Sequence, residues 1–187
     1  MPELFNVLPP ADAYALFLKH FQAGVQSEEV PTAEALDRVL AEAVVAPADL
    51  PAFTRATMDG YSVRAADTFG ASESLPAYLK VAGEVPMGAT QPLAVGSAEA
   101  AVAYTGGMLA RGADAVVMVE HTQQIDERTI EVVRPVAPGE NCVQVGEDVR
   151  FGSQLLARGH KLRPQDIGGL MAMGVTRVCA ARRPLVG

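Results

Sequence analysis

Between residues 53 and 148 the apolar runs are short, alternate or cluster in fours and fives, and each is cut off by Gly, Pro or Asp. Runs of that length between turn formers build strands rather than helices, so this punctuation limits the fold more than any other feature. With 17 Gly and 13 Pro among 187 residues, breaks recur along the whole chain and exclude long uninterrupted helices. Strands are expected at 61–63, 77–81, 100–104, 115–119 and 129–133, with Gln124 to Arg128 as a polar hairpin connection between the last two.

The flanks read differently. After Pro9-Pro10, Tyr14, Phe17, Leu18, Phe21 and Val25 recur at helical spacing with Gly24 near the end, which predicts an amphipathic helix. Thr32 stands in N-cap position for a second helix, with Leu36, Val39 and Leu40 on one face, Asp37, Arg38 and Glu42 on the other, and Pro47 and Pro51 to end it. Beyond Asp148 come Leu155-Leu156, a turn at Gly159-His160-Lys161, and a helix opened by Pro164, carrying Ile167, Leu170 and Met171, and capped by Gly174. A strand at 176–180 follows. There is no internal repeat and no low-complexity tract.

A hydrophobic content of 49% is enough for a real core, while 15 Lys plus Arg against 22 Asp plus Glu give a net charge of -7. That balance argues against a surface that grips nucleic acid or an anionic membrane, so an anionic ligand must be held by a local device. The cations gather late, at Arg150, Arg158, Lys161, Arg163, Arg177, Arg182 and Arg183. Cys142 and Cys179 are far apart in apolar surroundings, offering neither a metal pair nor a disulfide framework, and His20, His121 and His160 lack ligand spacing. The expectation is a reduced, cytoplasmic protein with no secretory leader and no membrane span.

Four segments can carry chemistry. Thr57-Met58-Asp59-Gly60-Tyr61 reads as a tight turn with positive φ at the glycine, or as a rigid carboxylate beside a cleft, able to bind a hydrated divalent cation or orient water. Thr105-Gly106-Gly107 reads as a plain strand connection, or as a nest of backbone N–H groups that accepts an oxyanion. The segment 81–88 reads as a turn, or as a ligand loop carrying Glu84. Around a short apolar strand at 142–145, Gly139-Glu140-Asn141 and Gly146-Glu147-Asp148 supply acids; Glu147 and Asp148 form a solvated turn or a metal-facing pair. No nucleophile elbow, Walker loop or dinucleotide fingerprint is present.

Taken in order, Glu34-Ala35-Leu36-Asp37-Arg38-Val39-Leu40-Ala41-Glu42, Leu50-Pro51-Ala52-Phe53, Met58-Asp59-Gly60-Tyr61-Ser62-Val63, Thr105-Gly106, Gly112-Ala113-Asp114-Ala115-Val116-Val117, Gly139-Glu140-Asn141 and Gly146-Glu147-Asp148 resemble the N-terminal half of the molybdopterin molybdenumtransferases, the MoeA family that includes the gephyrin E domain. The resemblance implies an α+β fold in which a mainly β domain of coiled, bifurcated sheets, here 53–148, is inserted into a helix-containing domain made of 1–52 and 149–187. Arg182-Arg183-Pro184 is similar to the family's entry into a later molybdopterin-binding domain. It further implies a homodimer that inserts molybdate into adenylylated molybdopterin with Mg²⁺ and release of AMP, supplied by a partner protein that delivers the adenylylated pterin.

By motif position the resemblance makes Asp59, Thr105 and Asp148 catalytic, Asp59 and Asp148 metal ligands, and Gly106, Gly107 and Glu84 cofactor-binding. The chain departs from the family at Val143, Gln144 and Val145, where a basic run is usual, at Val102, often arginine, and at Gly106-Gly107-Met108, usually Gly-Ala-Pro. The loss of cations leaves a second reading open, a noncatalytic paralogue that uses the same scaffold to dimerise or to dock a partner.

Overall fold

A computed structural model describes residues 7–20, 24–88 and 93–184. In chain order they form α1 (Pro10–His20), β1 (Ser27–Pro31), β2 (Val44–Val45), β3 (Arg55–Ala56), β4 (Gly60–Val63), β5 (Ala77–Glu84), β6 (Glu99–Ala103), β7 (Ala115–Met118), β8 (Thr122–Asp126), β9 (Thr129–Val132), β10 (Cys142–Val143), β11 (Gln154–Leu156), α2 (Pro164–Ala172) and β12 (Arg177–Ala181). The fold is α+β, with two compact units: Val45–Ser153, and Met1–Val44 together with Gln154–Gly187.

The unit Val45–Ser153 is built on a six-stranded sheet in the order β7-β4-β6-β5-β9-β8. Its pairs are antiparallel except β5 with β6, which run parallel past a bulge between Val81 and Gly83. Alternation sets the two faces. On one, Val63, Leu79, Ala100, Val117, Ile130 and Val132 form a cluster closed by Val136. Burial of each such Val, Leu or Ile contributes about 1.5–3 kcal/mol. On the other, small residues let loops approach closely: Ala103 and Val116 pack with Ala56 and Leu109, and Ala101 packs with Val85, Val95 and Ala110.

The five strands expected here correspond to β4, β5, β6, β7 and β9, but the hairpin connection is corrected: Thr122–Asp126 is itself the edge strand β8, paired with β9. The chain leaves β7 through a 3₁₀ turn at Val119–His121 and returns on the far edge of the sheet, so β7 and β9 are not neighbours. The tight turn is Asp126 to Arg128, where the Asp126 carboxylate accepts the Arg128 N–H at 2.7 Å. The strand expected at 142–145 is only Cys142–Val143, paired with β3.

In the other unit β1 pairs antiparallel with β12, and Ala35, Leu40, Leu162, Leu170 and Val178 form its core. The helix opened by Pro164 is α2, and Gly174, at φ +77°, follows it. The helix expected from Thr32 is instead a single 3₁₀ turn, Thr32–Glu34. Asp37 takes a left-handed φ of 61°, which stops a helix, and Val39 and Leu40 bridge to Lys161 and Ala180. Nor is Thr32 a side-chain cap: its hydroxyl donates to the Val175 carbonyl at 2.7 Å. The first helix is α1, but none of its residues is buried; Tyr14, Phe17 and Leu18 are exposed, Val25 lies beyond it, and Phe21 falls outside the described residues. Among the described residues no helix is long and apolar enough to cross a membrane.

Candidate functional site

The site is built where β4 begins and β6 ends. A Cβ on Gly60 would lie 2.0 Å from the Val117 carbonyl oxygen, so only glycine lets β4 pair with β7 at this point. The Asp-Gly pair is therefore not the tight turn it resembles; its glycine opens a strand. Asp59 is pinned at both ends. Its carbonyl accepts the Val119 N–H at 3.1 Å, and its Oδ1 accepts the Thr105 N–H at 2.7 Å and the Thr105 hydroxyl at 2.9 Å. The backbone bond first, then the hydroxyl, hold the Asp59 carboxyl below the ordinary carboxylate range against a smaller opposing effect of desolvation.

Thr105 belongs to a turn in which Gly107 N–H donates to the Tyr104 carbonyl at 2.8 Å and Gly106 adopts φ +81°. The Gly106 N–H donates to the Ala56 carbonyl at 2.8 Å. The amides of Thr105, Gly106 and Gly107 thus all have partners inside the chain, and the expectation of an oxyanion nest is corrected: this corner presents a carboxylate, not a ring of donors.

Glu84, at the end of β5, accepts the Tyr104 hydroxyl proton at 2.9 Å. That bond and the Glu84 charge, with a smaller push from Asp59, raise the Tyr104 phenol above its ordinary value. The segment 81–84 lies within β5, so the turn reading for 81–88 is shortened to the residues after Glu84. Beside Asp59 lies a cleft of about 210 Å³ lined by Tyr61, Val102, Tyr104 and Val119 among others.

Asp148 is placed elsewhere on the unit's framework. Its carboxylate pairs with Arg55 at 3.6 Å, and its N–H donates to the Leu50 carbonyl at 3.0 Å. Arg55 belongs to β3, whose next residue, Ala56, holds the Gly106-Gly107 corner through its carbonyl and N–H. Glu147 is not paired with Asp148 toward a metal; its carboxylate accepts the Gln144 N–H at 2.8 Å and closes a local turn. Asn141 donates to the Val116 carbonyl at 2.8 Å and accepts the Thr57 N–H at 3.0 Å, so the Gly-Glu-Asn motif clips the loop before Asp59 to β7. Among the described residues no group of three or more His, Cys, Asp and Glu is placed to hold a metal ion.

The structure therefore joins Asp59 to Thr105 directly and sets Glu84 beside them through Tyr104, while Asp148 connects to the corner through β3. Sequence reasoning passed over Tyr104, Tyr61 and Arg55. Tyr104 is the residue before the Thr-Gly pair, and Tyr61 is two places beyond Asp59; an aromatic flanking each motif was the available signal.

Residues 8–174 match the model of the MoeA N-terminal region, domains I and II. The chain belongs to the MoeA family. A molybdopterin molybdenumtransferase of Bacillus subtilis is 35% identical over 181 residues, 95% of this chain and 42% of that protein. One from Synechococcus elongatus is 38% identical over 149 residues, 79% of this chain and 37% of that protein. Two crystal structures of molybdopterin biosynthesis MoeA proteins from Pyrococcus horikoshii superpose with TM-scores of 0.89 and 0.82 at 37% and 41% identity, covering 96% of this chain and 45% and 47% of theirs. The chain thus spans less than half the length of these MoeA proteins.

Proposed function

We propose that this MoeA region supplies one wall of a site that inserts molybdate into adenylylated molybdopterin with release of AMP. The observation that carries the reading is the Asp59–Thr105 lock, which lies within the stretch matched to the family. A carboxylate held below the ordinary range is ionised at neutral pH. With Oδ1 taken by Thr105, Oδ2 makes no hydrogen bond or ion pair among the described residues and is left to orient a water or hold a proton-bearing group.

The donor chemistry here is oxygen throughout, which suits a hard cation that takes one or two carboxylates and completes its shell with water and substrate phosphate. Asp59 and Asp148 are the carboxylates proposed to serve Mg²⁺, each from its own place on the unit, because Asp148 pairs with Arg55 rather than joining Asp59 in one ligand group. Bound there, Mg²⁺ would supply positive charge to offset the charge of a substrate phosphate. Arg55, paired with Asp148, is the cation this wall offers to an anionic substrate, in place of the basic run replaced by Val143, Gln144 and Val145. The remaining wall is assigned to a second subunit of a homodimer, and the pterin to a supplying protein.

A noncatalytic reading is favoured by one observation: the amides of the Thr105-Gly106-Gly107 corner are all engaged internally. Reconstitution separates the two. The full-length protein, supplied with Mg²⁺, molybdate and adenylylated molybdopterin, is expected to yield active cofactor, and Asp59→Asn to lower the yield by about 10²-fold. Normal yield from that variant removes Asp59 from the mechanism; a stable dimer that binds no cofactor establishes the noncatalytic reading.

A further inference from the structure

The two edges of the six-stranded sheet are finished differently. At the β7 edge the Val116 N–H donates to the Glu140 carbonyl at 3.1 Å and the Val116 carbonyl accepts the Asn141 side-chain N–H at 2.8 Å, so that edge is covered. β8 forms the other edge, where Gln123, Gln124, Ile125 and Asp126 are all exposed. The Val133 N–H donates to the His121 carbonyl at 3.0 Å, and antiparallel partners alternate between bonded and unbonded pairs. His121 with Val133 and Gln123 with Glu131 are thus the bonded pairs of this ladder, and Gln124, opposite Ile130, turns its N–H and C=O away from β9. Among the described residues those two groups bond to no other element.

An open edge is a template for another strand, and proteins guard such edges with Lys, Pro or a bulge. Thr122 to Asp126 contains neither Lys nor Pro, and its bulge lies past Gln124 toward the turn. Charge selects what pairs with it. A second copy laid parallel and in register would set Asp126, Glu127 and Arg128 each against itself. Laid antiparallel about a two-fold axis at Gln124, it sets Asp126 opposite Thr122 and, past the strand ends, Glu127 beside His121 and Arg128 beside Glu120. The His121 ring lies 3.0 Å from the Arg134 guanidinium, so Glu127 meets a basic end. Glu120, Glu127 and Arg128 are all exposed.

We infer that β8 pairs with β8 of a second copy of this chain, antiparallel about Gln124, each Gln124 N–H donating to the Gln124 carbonyl of the other copy. Only one short strand per copy takes part, below the roughly 1,000 Å² of a stable interface, so the association is reversible and grows with concentration. It does not draw on the proposed molybdate reading. Asp59 precedes β4, and β6, β5 and β9 separate β4 from β8, so a copy held at β8 leaves the Asp59 corner open. The contact therefore differs from the one that would complete the site across a homodimer, and adds an association step to it.

Sedimentation velocity of the full-length protein, from micromolar to near-millimolar concentration, tests it. One reversible association step is expected toward the upper end. Gln124→Pro removes the outward N–H, which an edge strand tolerates, and is expected to abolish that step while the urea midpoint stays near the wild-type value. Glu120→Arg and Arg128→Glu each place like charges across the axis twice, and each is expected to weaken association by about tenfold, whereas the double reversal restores it. The reversals change exposed side chains and decide the matter should the proline variant unfold. Absence of the step, a step indifferent to Gln124→Pro in the folded variant, or a double reversal as weak as the single ones overturns the inference. An edge taken by another segment of the full-length chain or by a different protein shows as a missing step with the Gln124 amide protected from hydrogen exchange, and overturns it too. Molybdate insertion without the step leaves the proposed reaction standing, and the step in a protein that inserts no molybdate leaves the pairing standing.

Discussion

One oxygen of Asp59 holds Thr105 twice, through the backbone N–H at 2.7 Å and the hydroxyl at 2.9 Å. Thr105→Val removes the hydroxyl and leaves the N–H, which is the larger of the two causes that lower the Asp59 pKa. The Asp59 pKa in this variant is expected to rise part of the way to its ordinary value, and carbon-13 carboxyl titration by NMR reads it directly. The sign for stability follows. A pKa depressed by folding adds stability that is present above the unfolded carboxylate range and is lost as pH falls through the folded value, so the variant has less of this contribution and has lost all of it at a higher pH than the wild type. An unchanged Asp59 titration would show that the hydroxyl does not act on the carboxylate.

Three glycines near the site are constrained to different degrees, and alanine separates them. At Gly60 the new Cβ meets the Val117 backbone oxygen at 2.0 Å, which no side-chain adjustment relieves, and the cost is expected to reach about 3 kcal/mol. At Gly106 no atom lies within 4 Å and only the φ of +81° opposes the substitution, for about 1–2 kcal/mol. Gly107, 2.8 Å from the Tyr104 carbonyl, suffers a milder contact than Gly60. Urea unfolding of the three variants is expected to place Gly60→Ala far below the others; equal midpoints would mean that β4 and β7 separate without penalty.

Much of this was legible because short apolar runs specify strands wherever the burial is local, as at Tyr61–Val63 and 129–132. What escaped was decided by tertiary partners. Thr32 to Leu40 carries a helical pattern, yet Leu40 bridges to Ala180 and Asp37 turns left-handed, because strand pairing across the unit outweighs a weak local preference. Gln123 and Gln124 carry no apolar alternation, but β9 offers them a ladder and they become an edge strand. At the site the residue types were readable and the direction of their hydrogen bonds was not. Two glycines after a threonine look like an open nest until Ala56, Tyr104 and Asp59 are found to occupy its amides.

A second depressed carboxylate sits at the start of α2. Asp166 Oδ2 accepts the Arg163 N–H at 2.9 Å and the Arg163 Nε–H at 3.0 Å, and lies 2.7 Å from His160 Nε2. The Arg163 guanidinium, then His160, then the Arg163 amide hold its carboxyl far below the usual range. Arg163→Met is therefore expected to raise the Asp166 pKa more than His160→Gln does. Since the folded pKa is the lower one, the wild type still holds part of this benefit below the ordinary carboxylate range, whereas Arg163→Met starts with a smaller benefit and exhausts it at a higher pH. Urea midpoints between about pH 2 and pH 5 check the order, given a carboxylate reference near 3.9. A larger effect from His160→Gln would reverse the assigned ranking.

Cys142 shows the opposite shift. Burial beside β3, reinforced by the negative charge of Asp114, pushes its thiol up to about 11, and its Sγ donates to the Glu140 carbonyl at 3.3 Å. Only the thiolate reacts with an alkylating agent, so at pH 8 the native protein should alkylate Cys142 about 10²-fold more slowly than an ordinary thiol of pKa near 8.5. Denaturant restores the ordinary rate. Asp114→Asn keeps an oxygen for the Ala65 N–H, which the native Oδ1 accepts at 2.7 Å, and removes only the charge. Since burial is the larger cause, labelling in that variant speeds up modestly and stays well below the denatured rate. Peptide-resolved mass spectrometry distinguishes Cys142 from Cys179, and native labelling of Cys142 at the denatured rate would mean that β3 and β10 open freely enough to expose it.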